Sequence, residues 1–228
     1  MQIPDLTKGN IAIDRLLEVT TNPRHRYVLL SYARHRLLEF SGRYEEVLAE
    51  DMMNDHPVYN FRAFGLDLQI KGKDEVRALY RNWAETNQCV FYAEDETITV
   101  GDHYIKSKLT VYQQVWKGTL LPTKLLRLLP KAIARWLFIK LLHFRAIKPK
   151  INQMYLHKSQ EQWFWRYDDR CRLLGEDVVE SDQSTIETRK LEPHEVLTAA
   201  RAAELLLPYV QPLPDFDEYV LGKKRASL

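Results

Sequence analysis

One stretch of the sequence places titratable side chains among aromatic residues, as proton transfer requires. In residues 155–165 an extended chain puts every second side chain on one face, and that face holds His157 and Glu161. Its other members are Tyr155, Ser159, Trp163 and Trp165. Burial among tryptophans would raise the pKa of Glu161 and suit it to act as a general acid or a neutral hydrogen-bond donor. The structural alternative is an edge glutamate paired with a lysine.

A second candidate proton carrier is His56, which directly precedes Pro57 in the run Asn54-Asp55-His56-Pro57. Imidazole exchanges a proton near neutral pH without a large pKa shift, so His56 is a candidate base. Asp55 is the alternative base, because a shift of one residue in strand register exchanges the two faces. A histidine satisfied within a turn is the structural reading.

Further candidates lie on a helix and on the last long strand. Tyr32, on a helix face with Tyr27 or His35, would offer a phenol to a developing oxyanion, or would fill the core. On the strand, alternation turns only one set of acids inward, and the sequence does not choose among Glu176, Asp177 and Glu180.

Composition and spacing argue against several other classes of protein. Lys plus Arg is 33 and Asp plus Glu is 31, so a globally basic nucleic-acid binder is not expected. The seven histidines lack His-x-x-x-His spacing, and we find no Gly-rich phosphate loop or G-x-S-x-G motif. We therefore expect no metal and no cofactor. The amino-terminal residues do not resemble a secretory signal, and no apolar run is long enough to span a bilayer.

The nearly balanced charge hides a basic, apolar segment. Residues 103–160 contain twelve Lys or Arg and no acidic residue. As a single helix, residues 124–145 would present a narrow cationic stripe of Lys124, Arg127, Lys131, Arg135 and Arg145 beside a broad apolar face. Pro130 must begin a new helix or kink this one. Such a pattern indicates an interfacial membrane helix, a lid over a pocket or an oligomer contact.

Hydrophobic periodicity divides the chain into helices followed by long strands. Helical spacing begins at Pro23, a short helix follows at 44–49, and a third begins at Gly72 with Trp83 on its apolar face. Alternation then predicts strands over 89–100, 103–117, 154–167 and 173–180. Residues 193–207 are expected to form a last helix, and the chain end a loose tail.

This order of elements resembles the nuclear transport factor 2-like superfamily, in its SnoaL-like and ketosteroid isomerase-like branch. The resemblance rests on residues 48–57 (LAED running into NDHP), on the "G-x-x-x-I-R-x-x-Y"-like run GKDEVRALY at 72–80, and on the hairpin at 95–119. It covers about residues 22–190, apart from an insertion at about 119–152. The insertion, the carboxyl-terminal helix and tail, and a short link between the first two helices depart from the family pattern.

The resemblance implies an α+β fold in which a curved antiparallel sheet forms a cone around a deep apolar pocket, with three amino-terminal helices closing one side. This cone domain would occupy residues 1–190 and carry the helical insertion, and residues 191–228 would add a carboxyl-terminal helix and tail. It also implies a pocket-facing acid or base near His56 and an acidic pocket residue near Glu161. We expect both to face one pocket, with Trp83, Tyr155, His157, Trp163 and Trp165 contacting substrate.

These features together predict a cofactor-independent enzyme of proton-transfer chemistry: an isomerase, cyclase, dehydratase or epoxide hydrolase. Its substrate would be an apolar polyketide-, terpenoid- or steroid-like molecule. The alternative is a non-catalytic member of the fold that binds a lipid, a small molecule or a protein. We expect a cytoplasmic protein, with homo-oligomerisation left open, that docks on anionic membranes through Trp136, Phe138 and Leu142.

Overall fold

The computed structural model describes residues 1–117, 126, 128–143 and 150–223. Within these ranges the fold is α+β, with seven α-helices and seven strands. The helices are α1 Ile11–Val19, α2 Pro23–Phe40, α3 Tyr44–Val47, α4 Gly72–Glu85, α5 Lys131–His143, α6 Ala199–Leu206 and α7 Phe216–Tyr219. The strands are β1 Val58–Arg62, β2 Leu68–Lys71, β3 Phe91–Gly101, β4 Tyr104–Trp116, β5 Met154–Tyr167, β6 Leu173–Glu180 and β7 Glu187–Lys190.

The strands form one curved, open sheet in the order β2-β1-β6-β5-β4-β3. All pairings are antiparallel except that of β1 with β6, which is parallel. One edge of β5 is shared, because β6 pairs with its second half and β7 with residues 155–158. The sheet is therefore mixed, whereas the sequence predicted an antiparallel one.

The helix that packs along the inner face of the sheet is α2, and its start is set by local chemistry. The side chain of Asn22 accepts hydrogen bonds from the backbone N–H groups of Arg24 and His25, and Pro23 occupies the first helical position. After the helix the chain turns at Gly42, whose φ of +69° is a left-handed conformation that favours glycine. The predicted helix start at Pro23 is confirmed.

Alternation along β4 separates a core face from an outer face, as the sequence predicted. The inward side chains are buried: Ile105, Ser107, Leu109, Val111, Gln113 and Val115. Most outward neighbours are exposed or half-buried. On β5 the inward set is also buried from His157 to Trp165, but Leu156 of the opposite face is fully buried as well, in the same core cluster as Leu191.

The carboxyl-terminal segment packs against the same core, and the predicted loose tail is wrong over its described part. The last predicted helix is shorter than expected and spans Ala199–Leu206. Beyond it, Phe216 is buried, and its ring meets that of Tyr27 edge-on at a centroid distance of 5.3 Å. The helix Ala199–Leu206 and the buried ring of Phe216 thus hold this segment against α2 and the sheet.

The basic, apolar insertion is described only in part. Pro130 begins α5, since its carbonyl accepts from the N–H groups of Ile133 and Ala134. Lys124, Arg127 and Arg145 of the predicted cationic stripe lie outside the described residues. In the part of the chain that the structure describes, no helix is long and apolar enough to cross a bilayer.

A buried ion pair joins α2 to β3. Arg36 donates to the Glu96 carboxylate at 2.6 Å and to the Gly9 carbonyl at 2.9 Å. Glu96 points inward because β3 carries a bulge between Glu94 and Thr97, where Asp95 has a φ of +52°. Since both partners are buried, each charge is tolerated only in the presence of the other.

We expect Arg36→Met to lower the free energy of unfolding by about 3–5 kcal/mol, because it leaves the Glu96 carboxylate buried without its cation. The double variant Arg36→Met, Glu96→Gln should be more stable than the single variant, because the uncompensated charge is gone. Urea unfolding of the three proteins at pH 7 measures this. A double variant no more stable than Arg36→Met would show that the ion pair is not the main contribution of Arg36.

Candidate active site

The inner face of the sheet, together with α2, α4 and α5, encloses an aromatic cavity of about 100 Å³. Three carboxyl side chains line it, those of Glu39, Glu161 and Glu176. Half of the other lining residues are aromatic: Phe40, Phe61, Phe64, Trp83, Phe91, Phe138, Trp163 and Trp165. No basic side chain lines the cavity among the described residues. The three carboxyls are thus the titratable groups among the described lining residues.

Glu161 is held in place by two donors from its own strand. The Ser159 hydroxyl donates to one carboxylate oxygen at 2.7 Å, and the Trp163 indole N–H donates to the other at 2.6 Å. Burial raises the pKa of Glu161, while these two hydrogen bonds act to lower it. Glu161 is thus a buried carboxyl of the cavity wall that two hydrogen bonds hold in place.

Glu176 lies in a different environment. Burial raises the pKa of Glu176 well above its ordinary value, and the charges of Glu39 and Glu161 raise it further. Among the described residues no group donates a hydrogen bond to its carboxyl, although the residue is only 4% exposed. Directly opposite it on β5 lies Trp165, whose buried indole N–H also lacks a partner. Within the described part of the chain, the cavity therefore has an unpaired acid and an unpaired donor at opposed positions of β6 and β5.

The third carboxyl, Glu39, belongs to a polar network beneath the aromatic wall. Its nearest basic atom is Nε2 of His35, at 3.6 Å. The same imidazole nitrogen shares a 3.0 Å hydrogen bond with the Tyr80 hydroxyl, which shares another of 3.0 Å with the hydroxyl of Tyr59. Burial and the charge of Glu39 raise the pKa of Tyr80 well above its ordinary value. Tyr59 and Tyr80 therefore stay protonated, and their hydroxyls add polar groups without charge beneath the cavity.

The His157 side chain is fully engaged beside the cavity. Its Nε2 contacts the Glu180 carboxylate at 3.1 Å, and its Nδ1 contacts the Thr188 hydroxyl at 3.1 Å. The second oxygen of Glu180 accepts from the backbone N–H of Phe64, whose ring lies 4.6 Å from the imidazole. His157 thus links β5, β6 and β7 to the loop that follows β1.

A glycine sets the position of Glu176. At Gly175 the φ is +139°, and a Cβ atom there would lie 1.8 Å from the carbonyl oxygen of Val58. Only glycine lets β6 approach β1 this closely, just before the strand turns Glu176 inward. Of the three acids that the sequence left open, Glu176 and Glu180 are buried, and Asp177 faces outward to pair with Arg166 at 2.7 Å.

The predicted pocket position of His56 is wrong, and so is that of Asp55. Both residues are exposed: the backbone N–H of His56 donates to the Asn54 side chain, and Asp55 pairs with Lys73 at 3.1 Å. The run forms an Asx turn before β1 rather than part of the strand. The first inward side chain of β1 is instead Tyr59, which is fully buried.

Other predicted residues divide between the cavity and the core. Trp83, Trp163 and Trp165 line the aromatic cavity together with Glu161. Tyr32 does not line it: its hydroxyl donates to Glu96 at 3.0 Å and its ring packs edge-on against Trp165. Tyr155 is half-buried and also lies away from the cavity lining. Neither tyrosine lines the cavity, contrary to the sequence-based expectation that Tyr32 acts in the chemistry and Tyr155 contacts the substrate.

The three residues predicted to face a membrane do not share one surface. Trp136 is 60% exposed on the outer side of α5, whereas Leu142 is 7% exposed and packs in the main core. Phe138 turns inward and lines the aromatic cavity. Lys131 and Arg135 of the predicted cationic stripe are bound by Asp67 and Glu75 of the protein itself. The exposed face of α5 is consequently more apolar and less cationic than the sequence indicated.

A larger groove of about 630 Å³ crosses the outer face of the sheet. Most of its lining residues are polar, among them Arg62, Lys106, Lys108 and Asp177. For Asp177 a partner is already present, and the two lysines are exposed, so we find no unpaired buried group there. Acid–base chemistry is favoured in the smaller aromatic cavity, where carboxyls are removed from water.

Comparison with known proteins adds no family assignment. No protein-family model matches the chain, and no curated protein matches it. A solved structure of the Kfla4162 protein from Kribbella flavida aligns with 72% of this chain and 97% of its own, at 14% identity and a TM-score of 0.34. Neither fold nor function follows from a similarity at that level.

The unpaired acid makes a specific prediction about stability. Because the pKa of Glu176 is raised in the folded state, folding takes up a proton between the ordinary pKa of 4.5 and the folded value. Stability is then full below about pH 4.5 and falls by about 1.4 kcal/mol per pH unit across that window. Glu176→Gln should remove this loss, so the stability of the variant relative to the native protein should increase as the pH rises.

Urea unfolding at pH 4, 5, 6, 7 and 8 measures the effect. Glu187→Gln is the control of opposite sign, because the pKa of the exposed Glu187 is lowered by its hydrogen bond to Lys158. That variant should lose stability relative to the native protein near neutrality and recover it in acid. Parallel pH curves for Glu176→Gln and the native protein would contradict the raised pKa.

Proposed function

We propose that this protein is a general acid–base enzyme that moves a proton on a small, largely apolar molecule held in the aromatic cavity. The observation that carries the proposal is the carboxyl of Glu176, which is buried, has no hydrogen-bond donor among the described residues and has a raised pKa. Unpaired buried acids are costly to stability, and they are concentrated at sites where proton transfer uses them.

The groups around Glu176 suggest how the roles are divided. Protonated Glu176 and the indole N–H of Trp165 would donate together to a carbonyl oxygen of the substrate and stabilise the charge that develops there. Glu39, another carboxyl of the cavity lining, would take the proton from the adjacent carbon. A pair of carboxyls, one acting as acid and the other as base, is a common acid–base arrangement.

Glu161 has a supporting role in this scheme. Its carboxylate oxygens already accept from Ser159 and Trp163, so its position is fixed before any substrate enters. Its negative charge also helps to keep Glu176 protonated. We therefore propose Glu176, rather than Glu161 or His56, as the acid of the site.

Membership in the SnoaL-like and ketosteroid isomerase-like branch of the nuclear transport factor 2-like superfamily remains our proposal. It is supported by the order of elements, in which helices and a short hairpin precede α4 and four longer strands. The inward curvature of the sheet around an apolar cavity also agrees with the proposed cone. On this view the reaction is an isomerisation or a related proton shift.

The size of the cavity constrains the substrate. Sites for drug-sized ligands are typically about 300–1,000 Å³, whereas this cavity is about 100 Å³. A polyketide- or steroid-like molecule therefore enters only if the wall moves, whereas a small cyclic ketone needs little change. Non-catalytic binding of such a molecule is the alternative, and it is separated from catalysis by a measurement of proton exchange.

We expect the protein to accelerate deuterium exchange at the α-carbon of small cyclic ketones in D₂O, measured by proton NMR. Glu176→Gln should slow the catalysed exchange by about a hundredfold or more, the usual size of a lost general acid. Glu39→Gln should have a similar effect, since it removes the proposed base.

Asp177→Asn is the matched control, because it changes the next residue of β6 on the outer face of the sheet. It should keep the rate of the native protein. Ketone binding without accelerated exchange would favour the non-catalytic alternative, and equal rates for Glu176→Gln and the native protein would exclude Glu176 from the chemistry.

We also propose that the protein docks peripherally on anionic membranes from the cytoplasm. The outer face of α5 exposes Ile133 and Trp136, and the preceding turn exposes 81% of Leu128. The surrounding residues 103–160 carry only positive charge. An exposed apolar patch with basic flanks suits an anionic lipid surface, and the two free cysteines agree with a reducing compartment.

Vesicle co-sedimentation should show binding to vesicles of phosphatidylglycerol and phosphatidylcholine, and little to phosphatidylcholine alone. Replacing both Ile133 and Trp136 by Ser should weaken partitioning by about tenfold or more, because their apolar area no longer enters the interface. Tyr209→Ser, at another exposed ring, is the control. Binding that ignores lipid charge, or a stable oligomer that buries α5, would contradict the proposal.

A further inference from the structure

Helix α5 has two apolar faces with different neighbours. Its inner face sends Phe138 into the wall of the aromatic cavity and buries Ala134 and Leu142. Its outer face leaves Ile133 and Trp136 exposed. One short helix therefore both closes the candidate active site and presents the surface that we propose docks on lipid.

Helix α5 is attached to the body at two places. Ala134 belongs to a small apolar cluster with Leu68 of β2 and Leu126, whereas Leu142 near the end of the helix packs in the large cluster that fills the sheet. Segments held by few buried apolar contacts open most readily. The beginning of α5 rests on the small cluster alone, so it can separate while Leu142 keeps the end of the helix on the main core.

Polar contacts complete the attachment, and their cations lie near solvent. Lys131 binds Asp67 at 2.5 Å, and Arg135 binds both carboxylate oxygens of Glu75, at 2.9 and 2.7 Å. Arg135 also donates to the Gln69 carbonyl at 2.8 Å. The Lys131 side chain is 81% exposed and that of Arg135 34% exposed, so competing anions can reach both.

The segment opposite α5 is the hairpin of β1 and β2. Ala63, Phe64, Leu66 and Leu68 line the cavity with Phe138, and Leu66, Leu68 and Phe138 pack in one small apolar cluster. Phe64 has a φ of +54°, in the left-handed region that bulky residues rarely adopt. Its conformation is held by the hydrogen bond to Glu180 and by contact with His157. The wall that α5 covers is thus formed by a short, constrained loop.

We propose that α5 is a lid over the aromatic cavity and that an anionic lipid surface opens it. Lipid phosphates would compete with Asp67 and Glu75 for Lys131 and Arg135, while Ile133 and Trp136 enter the interface. Withdrawal of Phe138 would then enlarge the cavity toward the membrane, from which a water-insoluble substrate enters. This inference rests on the proposed docking, but it does not depend on the acid–base chemistry.

Hydrogen–deuterium exchange of the full-length protein tests the lid without any ligand. With phosphatidylglycerol and phosphatidylcholine vesicles, amides of residues 63–71 should exchange at least about tenfold faster than in buffer, because α5 no longer covers them. Vesicles of phosphatidylcholine alone should leave these rates unchanged. Docking without faster exchange in 63–71 would overturn the lid while leaving the docking proposal intact.

Arg135→Gln gives a second test that needs no vesicles. It removes the contacts to Glu75 and Gln69, so exchange in 63–71 should rise in buffer alone. Arg77→Gln is the matched control, because it removes a cation from exposed ion pairs of α4 with Glu45 and Asp74. Unchanged exchange in Arg135→Gln, or an equal increase in the control, would overturn the proposed attachment of the lid.

Discussion

Carboxyl groups in a water-poor interior govern this structure, because each must be paired with a donor or keep its proton. Glu96 is paired with Arg36, Glu161 with Ser159 and Trp163, and Glu180 with His157 and the Phe64 amide. These hydrogen bonds and ion pairs fix α2, β3, β5 and the loop after β1 relative to one another. Glu176 has no such partner among the described residues. It lies opposite Trp165, whose indole N–H also has no partner among those residues. The candidate chemistry therefore lies at Glu176, a buried carboxyl that has no donor among the described residues.

Strand alternation predicted much of this site from sequence alone. It placed Glu161, Trp163 and Trp165 on one face of β5, and the structure places all three in the cavity wall. It could not choose among the acids of β6, because a tight approach at Gly175 and a bulge near Tyr167 set the register there. Those features depend on β1, which is distant in sequence, so local periodicity carries no signal for them. Glu39 was missed because a glutamate near a helix end gives no sign of which side is buried.

The errors at His56 and on the insertion have a common origin. In both places a local pattern was read correctly, but its orientation depended on residues elsewhere. The His-Pro run does mark a turn, yet β1 begins two residues later and turns Tyr59 inward. The basic stripe does form a helix face over its described part, yet Asp67, which precedes β2, and Glu75 of α4 face it. Patterning defines an amphipathic surface, and only the tertiary partner decides which side meets water.

The parallel pairing of β1 with β6 has a consequence for how the molecule folds. Asn60 and Asp177 are 117 residues apart in the chain, whereas the β3–β4 hairpin forms from neighbouring segments. Contacts at long sequence separation generally form late, because the chain entropy of closing a large loop is lost before they contribute. Since that entropy grows only with the logarithm of loop length, the segment inserted between β4 and β5 slows closure little. We expect the pairing of β1 with β6 to form last, so that Glu176 leaves water and takes up its proton in the same step that joins these two strands.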